Sequence, residues 1–423
     1  MTASLMLAMG VSALGGCDLD VTNPGPVTDE FLNDPLAQPA LVNTIGLAYV
    51  AAFNRVAYQQ TVVTRELHFA GQTGFAGFSF DAHLGRLDSD NVDVQWNNTQ
   101  RARWVADDAV RRLREGLGDS FSSNANAARA LLWQGYAYRL MGENWCHGVI
   151  DGGEPEPSAV FFERAEEAFS EAIDVGSGAG LDDVVTAARA GRASVRIWLD
   201  DWSGAVADAD EVPTSFVHQL ETSTLEEDQY NRVFFGSSNT PWRAHSTWNT
   251  FYEDYYLETG DPRTSWDEDP DFPFGNAEVT GIGQVPWFFQ TKYPTLDAPY
   301  PLSKGTEMRL IEAEARLREN DREGAMELIN EVRTGLSSDH DDSPLPEWEA
   351  DTLEEAWTHL KRERGIELWL EGRRLGDLRR WIQEGTPGTT DDMTDRSLCY
   401  PIPRGERQQN PNVPLDFQEA PTG

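Results

Sequence analysis

Apolar residues recur every three or four positions along much of the chain, and this period predicts amphipathic helices. In residues 101–117, RARWVADDAVRRLREGL, the apolar face consists of Val105, Ala109, Leu113 and Leu117. The same period predicts further helices over residues 127–145, 161–175, 184–199, 204–212, 307–320, 322–334 and 353–381. The last stretch is long enough for two helices, with a break near Glu371-Gly372. Residues 176–180, GSGAG, are instead predicted to be a loop.

The predicted helices come in pairs that share a pattern of apolar residues. On the second helix of three pairs these residues are spaced at 0, 4 and 7: Ala165, Phe169 and Ala172; Ala205, Ala209 and Val212; Ala325, Ile329 and Val332. Ala313 stands twelve positions before Ala325, the separation of the small residues in a tetratricopeptide repeat. Small residues are needed there because the two helices cross closely. The pattern predicts a mainly α fold with a scaffold of tetratricopeptide-like hairpins; ordinary helical hairpins are the alternative.

The helical period is lost in two regions that are rich in Trp, Tyr, Phe, Pro and Gly, residues 72–98 and 220–301. Aromatic residues this dense exclude disorder. We therefore expect a loop-rich lobe packed on the helical scaffold, and loops of this kind commonly carry function. The scaffold is predicted over residues 30–70, 100–215 and 303–385, and an extended segment over 386–423. Residues 17–423 are taken as a single domain.

Charge and motif content exclude several classes of function. The chain has 71 acidic and 34 basic residues, a formal net charge of −37, which excludes nucleic acid as a partner. It contains no zinc-protease, nucleophile-elbow or phosphate-loop motif, and its 7 histidines are scattered. We expect no metal, no cofactor and no enzymatic activity. A pair of glycosidase carboxylates stays open, because counting residues does not exclude one.

The aromatic residues indicate a carbohydrate ligand. Sugar rings present flat C–H faces that pack on aromatic planes, while polar side chains bind the hydroxyls. The predicted ligand-binding residues are Trp96, Trp248, Tyr252, Trp266 and Trp287. The alternative is that these rings form the core, since aromatic side chains bury large areas.

The N-terminus predicts export. Residues 1–16 are free of Asp, Glu, Lys and Arg and resemble the apolar part of a secretory signal peptide. Leu14-Gly15-Gly16-Cys17 resembles a bacterial lipobox, so Cys17 is predicted to carry the lipid anchor. Two cysteines remain, Cys146 and Cys399, and an oxidising compartment would allow them to pair. At this stage their pairing stays open.

Three parts of the chain together resemble the SusD/RagB family of outer-membrane nutrient-uptake lipoproteins. They are CDLDVTNP at 17–24; EMRLIEAEARL at 307–317, with ERGIELWLEGRRLGDLRRW at 363–381; and CYPIPRGE at 399–406, with NPN at 410–412. The resemblance covers nearly all of the chain after the predicted lipobox.

This resemblance implies a specific role. The family's fold is a scaffold of tetratricopeptide-like hairpins with a loop-rich ligand lobe. Its members are lipid-anchored in the outer membrane, face the cell exterior and cover a SusC-like TonB-dependent transporter. They pass it an oligosaccharide or other small nutrient and break no bond. No family motif falls in the lobe, so the five aromatic positions rest on composition alone. A tetratricopeptide scaffold for protein partners and a glycoside hydrolase are the alternatives.

One part of the resembling sequence also has a local physical interpretation. Arg364, Glu367 and Glu371 are spaced to share one helix face, where they could form charge pairs with one another. We expect these ion pairs to lock the last hairpin against the Pro-Ile-Pro segment. Docking to the transporter is the alternative.

Overall fold

The computed structural model describes residues 32–72 and 78–417, and within them the chain is mostly helical. The predicted signal peptide and Cys17 lie outside the described residues. The helices are α1 Gln38–Val63, α2 Phe80–His83, α3 Asp93–Leu117, α4 Ala125–Asn144, α5 Ser158–Ala179, α6 Asp182–Arg196, α7 Trp202–Asp210, α8 Arg232–Ser237, α9 Phe251–Thr259, α10 Gly305–Arg318, α11 Arg322–Thr334, α12 Leu353–Glu367, α13 Arg374–Glu384 and α14 Arg404–Gln409. Short 3₁₀ turns occupy Pro35–Ala37, Gly118–Ser123, Glu227–Gln229 and Pro262–Thr264.

The strands are short and form antiparallel pairs. They are β1 His68–Phe69, β2 His147–Gly148, β3 Glu156–Pro157, β4 Val217–Leu220, β5 His245–Ser246, β6 Trp266–Glu268, β7 Phe288–Gln290 and β8 Tyr300–Lys304. Strand β4 pairs with β8 where the chain enters and leaves the lobe. Strand β1 follows α1 and pairs with β5, which ties the scaffold to the lobe. Within the lobe, β6 pairs with β7.

The scaffold consists of helices packed as successive hairpins, with α4 against α5, α6 against α7 and α10 against α11. Phe169 of α5 shows why small residues recur at the crossings. A Cβ at Gly135 of α4 or at Gly191 of α6 would lie 2.5 Å from its ring. The predicted fold of tetratricopeptide-like hairpins with a loop-rich lobe is confirmed, and α11 has the predicted bounds.

The prediction of a loop over residues 176–180 is wrong. Helix α5 continues to Ala179 and ends at Gly180, which takes the left-handed conformation at φ 69°. Gly176 is buried close to the Val185 side chain, and a Cβ at Gly178 would lie 2.5 Å from the Ser122 carbonyl oxygen. The glycines therefore allow close packing of α5, and this tertiary contact outweighs their low helix propensity.

The predicted break between α12 and α13 is confirmed. At this break the chain lies in close contact with α1. Helix α12 begins with a capping box between Thr352 and Glu355 and ends at Glu367. Leu370 and Gly372 then take positive φ angles of 61° and 69°. A Cβ at Gly372 would lie 2.9 Å from the Ala57 Cβ atom of α1, so this turn requires glycine.

The expected pairing of Arg364, Glu367 and Glu371 with one another is wrong, because each meets a partner on another element. Arg364 Nε donates to Asp377 Oδ2 at 3.0 Å. Glu367 accepts from Lys304 at 2.7 Å, and Glu371 accepts from Lys304 at 2.8 Å. The ion pairs lock the last helices to β8 and its neighbours rather than to the Pro-Ile-Pro segment.

Buried ion pairs also join the two ends of the scaffold. Arg373 contacts Glu143 of α4 at 3.1 Å and Glu307 of α10 at 2.8 Å. Arg380 donates to Glu314 at 2.6 and 2.7 Å. We refer to Glu143, Glu307, Glu314, Arg364, Arg373, Asp377 and Arg380 as the buried ion network.

A disulfide joins Cys146, just after α4, to Cys399 near the C-terminus, with an S–S distance of 2.10 Å. Beside it Trp145 and Tyr400 form a parallel bridge, and their rings lie 5.0 Å apart. The expected extended segment thus packs on α4. It also contains one short helix, α14, which begins directly after Pro403.

By length and hydropathy, residues Pro35–Val63 form the one described span that could cross a membrane. Half of its most apolar window is buried inside the protein, and α1 packs against α3 and α4. Its apolar character is therefore used for the core.

The Glu314–Arg380 pair gives a stability prediction. Burial raises the pKa of Glu314, but Arg380 and Arg318 outweigh it and lower the pKa to about 2. The pair therefore stabilises the fold above the ordinary pKa of 4.5, and this contribution is lost as the pH falls toward 2. We expect Glu314→Gln to reduce the free energy of unfolding by about 3–5 kcal/mol at pH 7. The difference from wild type should narrow between pH 4.5 and pH 2.

Urea denaturation at pH 7 and pH 3 provides the measurement, with Glu319→Gln as the control. Glu319 is an exposed carboxylate directly after the same helix, and its substitution should change little. Equal stability of Glu314→Gln and wild type at pH 7 would contradict the prediction.

Candidate functional site

A pocket of about 290 Å³ lies where the lobe meets the scaffold. Segments distant in sequence form its wall: the turn after α1, the start of α9, one face of α12 and residues 389–392. The cationic and aromatic side chains of the lining are Arg65, Phe251, Tyr252, Lys361, Arg362 and Arg374.

The start of α9 sets the two aromatic rings of the pocket. Asn249 has a left-handed backbone, φ 55°, and its N–H donates to Glu253 Oε2 at 2.5 Å. Thr250 caps the helix by accepting from the Glu253 N–H. Phe251 is then 43 % exposed, whereas Tyr252 is 4 % exposed. Tyr252 stacks on Trp369 at 5.2 Å and donates to the Gly365 carbonyl oxygen at 3.2 Å.

The other wall of the pocket is cationic. Lys361 of α12 donates to the carbonyl oxygens of Thr386 and Gly388, both at 3.3 Å. Burial lowers the pKa of Lys361 to about 8. Arg374 is bonded to Asp391 at 2.8 Å, while Arg362 is exposed with its guanidinium 5.7 Å from the Phe251 ring centre.

A line of rings begins at Trp248, directly before the pocket residue Asn249. Trp248 lies 5.0 Å from His68, His68 lies 5.3 Å from His83, and His83 lies 5.7 Å from Phe80. We refer to these four residues as the aromatic row. Phe80 is 48 % exposed and the other three are partly exposed. Burial, with His68 and Arg396 nearby, lowers the pKa of His83 to about 4, so this imidazole is neutral at pH 7.

Three of the five predicted ligand-binding residues, Trp96, Tyr252 and Trp287, are buried; Trp96 and Trp287 lie outside this pocket, and their binding role stays a prediction. Trp96 is 1 % exposed, packs on Trp145 at 6.0 Å and donates to Glu406 at 3.4 Å. Trp287 is 2 % exposed and donates to the Ser237 carbonyl oxygen at 2.7 Å. Trp287 has almost no exposed surface in this structure, whereas Trp96 borders a separate surface cavity. The lobe has little regular structure, and such large rings supply its buried area.

The other predicted residues are Trp248, Tyr252 and Trp266. Tyr252 forms part of the pocket wall, whereas Trp248 precedes the lining residue Asn249 in sequence and packs against His68. Trp266 belongs to a separate set of rings, stacked on Phe288 at 4.5 Å and 6.2 Å from Tyr256. Of the five predicted residues, Tyr252 alone lines this pocket, while Trp266 contacts α9 by donating to the Glu253 carbonyl oxygen at 3.4 Å.

Sequence reasoning missed Arg65, Lys361 and Arg362 as pocket residues. Arg65 follows a long apolar helix, and nothing in the local sequence relates it to α12. The exposure of Phe251 had a weak signal, because consecutive residues of a helix point to different faces. Among the described residues, no group of three or more His, Cys, Asp or Glu side chains is placed to hold a metal ion.

Comparisons with known proteins agree with this architecture. The SusD family model matches residues 289–415. A SusD superfamily protein from Bacteroides vulgatus is similar with a TM-score of 0.65 at 14 % identity, covering 90 % of this chain and 98 % of that one. A SusD/RagB family protein from Bacteroides thetaiotaomicron has a TM-score of 0.64 at 13 % identity, covering 89 % and 94 %.

A laminarin-binding SusD-like protein is also similar, with a TM-score of 0.60 at 14 % identity and coverage of 90 % and 98 %. No curated protein matches this sequence. The fold is thus a helical-hairpin scaffold with an inserted loop-rich lobe. About 90 % of the chain shares the fold of a SusD superfamily protein, and residues 289–415 match the SusD family model, which confirms the resemblance found in the sequence.

The different burial of the predicted rings can be tested by substitution. Trp287→Ala should lower the free energy of unfolding by about 3–5 kcal/mol, because it leaves a cavity and an unpaired Ser237 carbonyl. Trp248→Ala should cost about 1 kcal/mol, since the ring is already partly exposed. Denaturant midpoints of the two variants provide the measurement. A larger loss for Trp248→Ala than for Trp287→Ala would contradict this assignment.

Proposed function

We propose that this protein binds an oligosaccharide at the outer face of the outer membrane and delivers it to a SusC-like TonB-dependent transporter. The observation that carries the proposal is the pocket with Phe251 exposed in its wall, together with the aromatic row that begins at Trp248, directly before the pocket residue Asn249. Its volume of about 290 Å³ is near the lower end for small-molecule sites. It would hold one end of a sugar chain while the rest lies along the row.

The chemistry of these residues favours binding over bond breaking. Partly exposed, neutral rings offer flat apolar faces, and the Asn249, Thr358 and Thr389 side chains can bind hydroxyls. The laminarin-binding neighbour supports a carbohydrate ligand by likeness of fold. The proposed role includes no catalytic step.

The proposed location and partner rest on the N-terminus and on the family. Cys17 would carry the acyl chains, and removal of residues 1–16 would leave it as the first residue. The disulfide between Cys146 and Cys399 supports export, because such bonds persist in oxidising compartments. Transfer to the transporter would follow from opening and closing of this protein over the channel.

Ligand binding is tested with residues 18–423, which lack the lipid-bearing cysteine, on a glycan array and by calorimetry. At least one oligosaccharide should bind, and Phe251→Ala and Trp248→Ala should each weaken it about tenfold, about 1.4 kcal/mol, by removing a stacking ring. Trp104→Ala is the control, because Trp104 is 55 % exposed on α3 and does not line this pocket. Unchanged affinity in both pocket variants would place the site elsewhere.

Lipid anchoring is tested separately in cells. Wild-type protein should incorporate a labelled fatty acid and sediment with the outer membrane, whereas Cys17→Ala should do neither. The double variant Cys146→Ser/Cys399→Ser is the control, since it alters the other two cysteines and should keep the label. Membrane association of an unlabelled Cys17→Ala protein would show that another segment anchors the chain.

A further inference from the structure

The pocket concentrates positive charge in a strongly acidic chain. Arg65, Lys361, Arg362 and Arg374 line it, against the carboxylates of Asp391 and Asp392. The chain as a whole has a net charge of −37. A local excess of cations against this background requires an explanation.

Most buried cations near the pocket are neutralised by carboxylates. Arg263 contacts Glu363 at 2.5 Å, and Lys292 contacts Glu371 at 2.7 Å. Among the described residues, Arg65, Lys361 and Arg362 form no ion pair with a carboxylate. Lys361 is bonded to neutral carbonyl oxygens only, so its charge is uncompensated by these bonds.

The backbone holds Arg65 toward solvent. Its φ is 61°, a left-handed conformation that few non-glycine residues adopt. The turn is fixed because the Arg65 N–H donates to the Val62 carbonyl and the Leu67 N–H to the Thr61 carbonyl, at 3.3 and 3.0 Å. Glu66 points inward and accepts from the Leu370 N–H at 2.8 Å. The side chains of these two neighbouring residues thus point in opposite directions. Glu66 is anchored in the protein, and Arg65 is exposed.

Phe251 and Arg362 provide two complementary contacts side by side. The Arg362 guanidinium lies 5.7 Å from the centre of the exposed Phe251 ring. A sugar ring stacked on Phe251 would bring its acidic substituent within reach of a guanidinium. Planar guanidinium groups bind carboxylates and sulfates through paired hydrogen bonds.

We propose that this pocket binds an anionic sugar residue, bearing a carboxylate or a sulfate ester, through Arg65, Arg362 and Lys361 with Phe251 stacked on the sugar ring. This inference rests on the proposed carbohydrate-binding function and specifies its ligand class. The acidic surface repels anions at a distance, but the Debye length of about 8 Å at physiological salt limits that repulsion. Contacts within the pocket act at shorter range and decide the affinity.

Calorimetry with residues 18–423 tests the proposal against three ligands of similar length: oligogalacturonate, a sulfated galactan oligosaccharide and neutral laminarin oligosaccharides. One of the two acidic ligands should bind at least tenfold more tightly than the neutral one. Arg65→Gln and Arg362→Gln should each reduce acidic-ligand affinity about tenfold more than neutral-ligand affinity. Arg129→Gln is the matched control, because Arg129 is also exposed and lies on α4 outside the pocket.

The outcomes separate this inference from the broader function. The carboxylate and sulfate arms identify which anion is bound, and preference for either supports the proposal. The proposal would be overturned if neutral oligosaccharides bind through Phe251 and the arginine variants lose no more affinity for acidic ligands than for neutral ones. The carbohydrate-binding function would then stand. If no saccharide of any class binds to correctly folded protein, both are wrong. Circular dichroism and melting temperature verify the fold of each variant.

Discussion

The buried ion network is the constraint on which the architecture depends. Removing a charged group from water costs several kcal/mol, so the members of this network require opposite charges in good geometry. Arg373 satisfies this condition by contacting Glu143 and Glu307 together. These carboxylates belong to α4 and α10, which are separated along the sequence by the larger part of the lobe, residues 220–301. The network therefore fixes where the C-terminal helices sit against the N-terminal hairpins.

The same helices fix the lobe and the pocket. The chain has three lysines, and none of them is exposed. Lys292 and Lys304 flank the last part of the lobe and both contact Glu371 at the break after α12. At the same break the Leu370 N–H donates to Glu66. The turn that contains Glu66 exposes Arg65. The position of a pocket side chain thus follows from bonds made in the core, and this is the sense in which the scaffold preorganises the site.

Sequence reasoning predicts the features that depend on local periodicity and fails for those that depend on tertiary contacts. Residues 322–334 have a clear apolar face, and their helix is found with the predicted bounds. Residues 176–180 have the composition of a loop, yet close packing against neighbouring elements keeps most of them helical. Arg364 and Glu367 have helical spacing, but their partners come from segments that the spacing does not reveal. The local pattern thus predicts a helix, whereas the ion-pair partners of its charged side chains depend on the tertiary fold.

The candidate site shows the same division more sharply. Aromatic composition predicted the lobe, but it does not distinguish Trp287, which is 2 % exposed, from Trp248, which is partly exposed. Burial of a ring depends on which loops cover it. A loop-rich lobe has no hydrophobic period from which this coverage could be predicted. The pocket is harder still, because its residues come from segments separated by up to hundreds of positions.

The match to the SusD family begins at residue 289, after most of the lobe. Helix α12, with Lys361 and Arg362, lies within the matched stretch, whereas Arg65, Phe251 and the aromatic row lie before it. One wall of the pocket therefore lies within the stretch that matches the SusD family model. The opposite wall comes from parts of the chain outside that match. The structural neighbours share the fold over 89–90 % of the chain at 13–14 % identity, and this likeness shows the fold but not the ligand-binding side chains. The choice of ligand consequently depends on the side chains that this particular lobe and the turn after α1 bring to the scaffold.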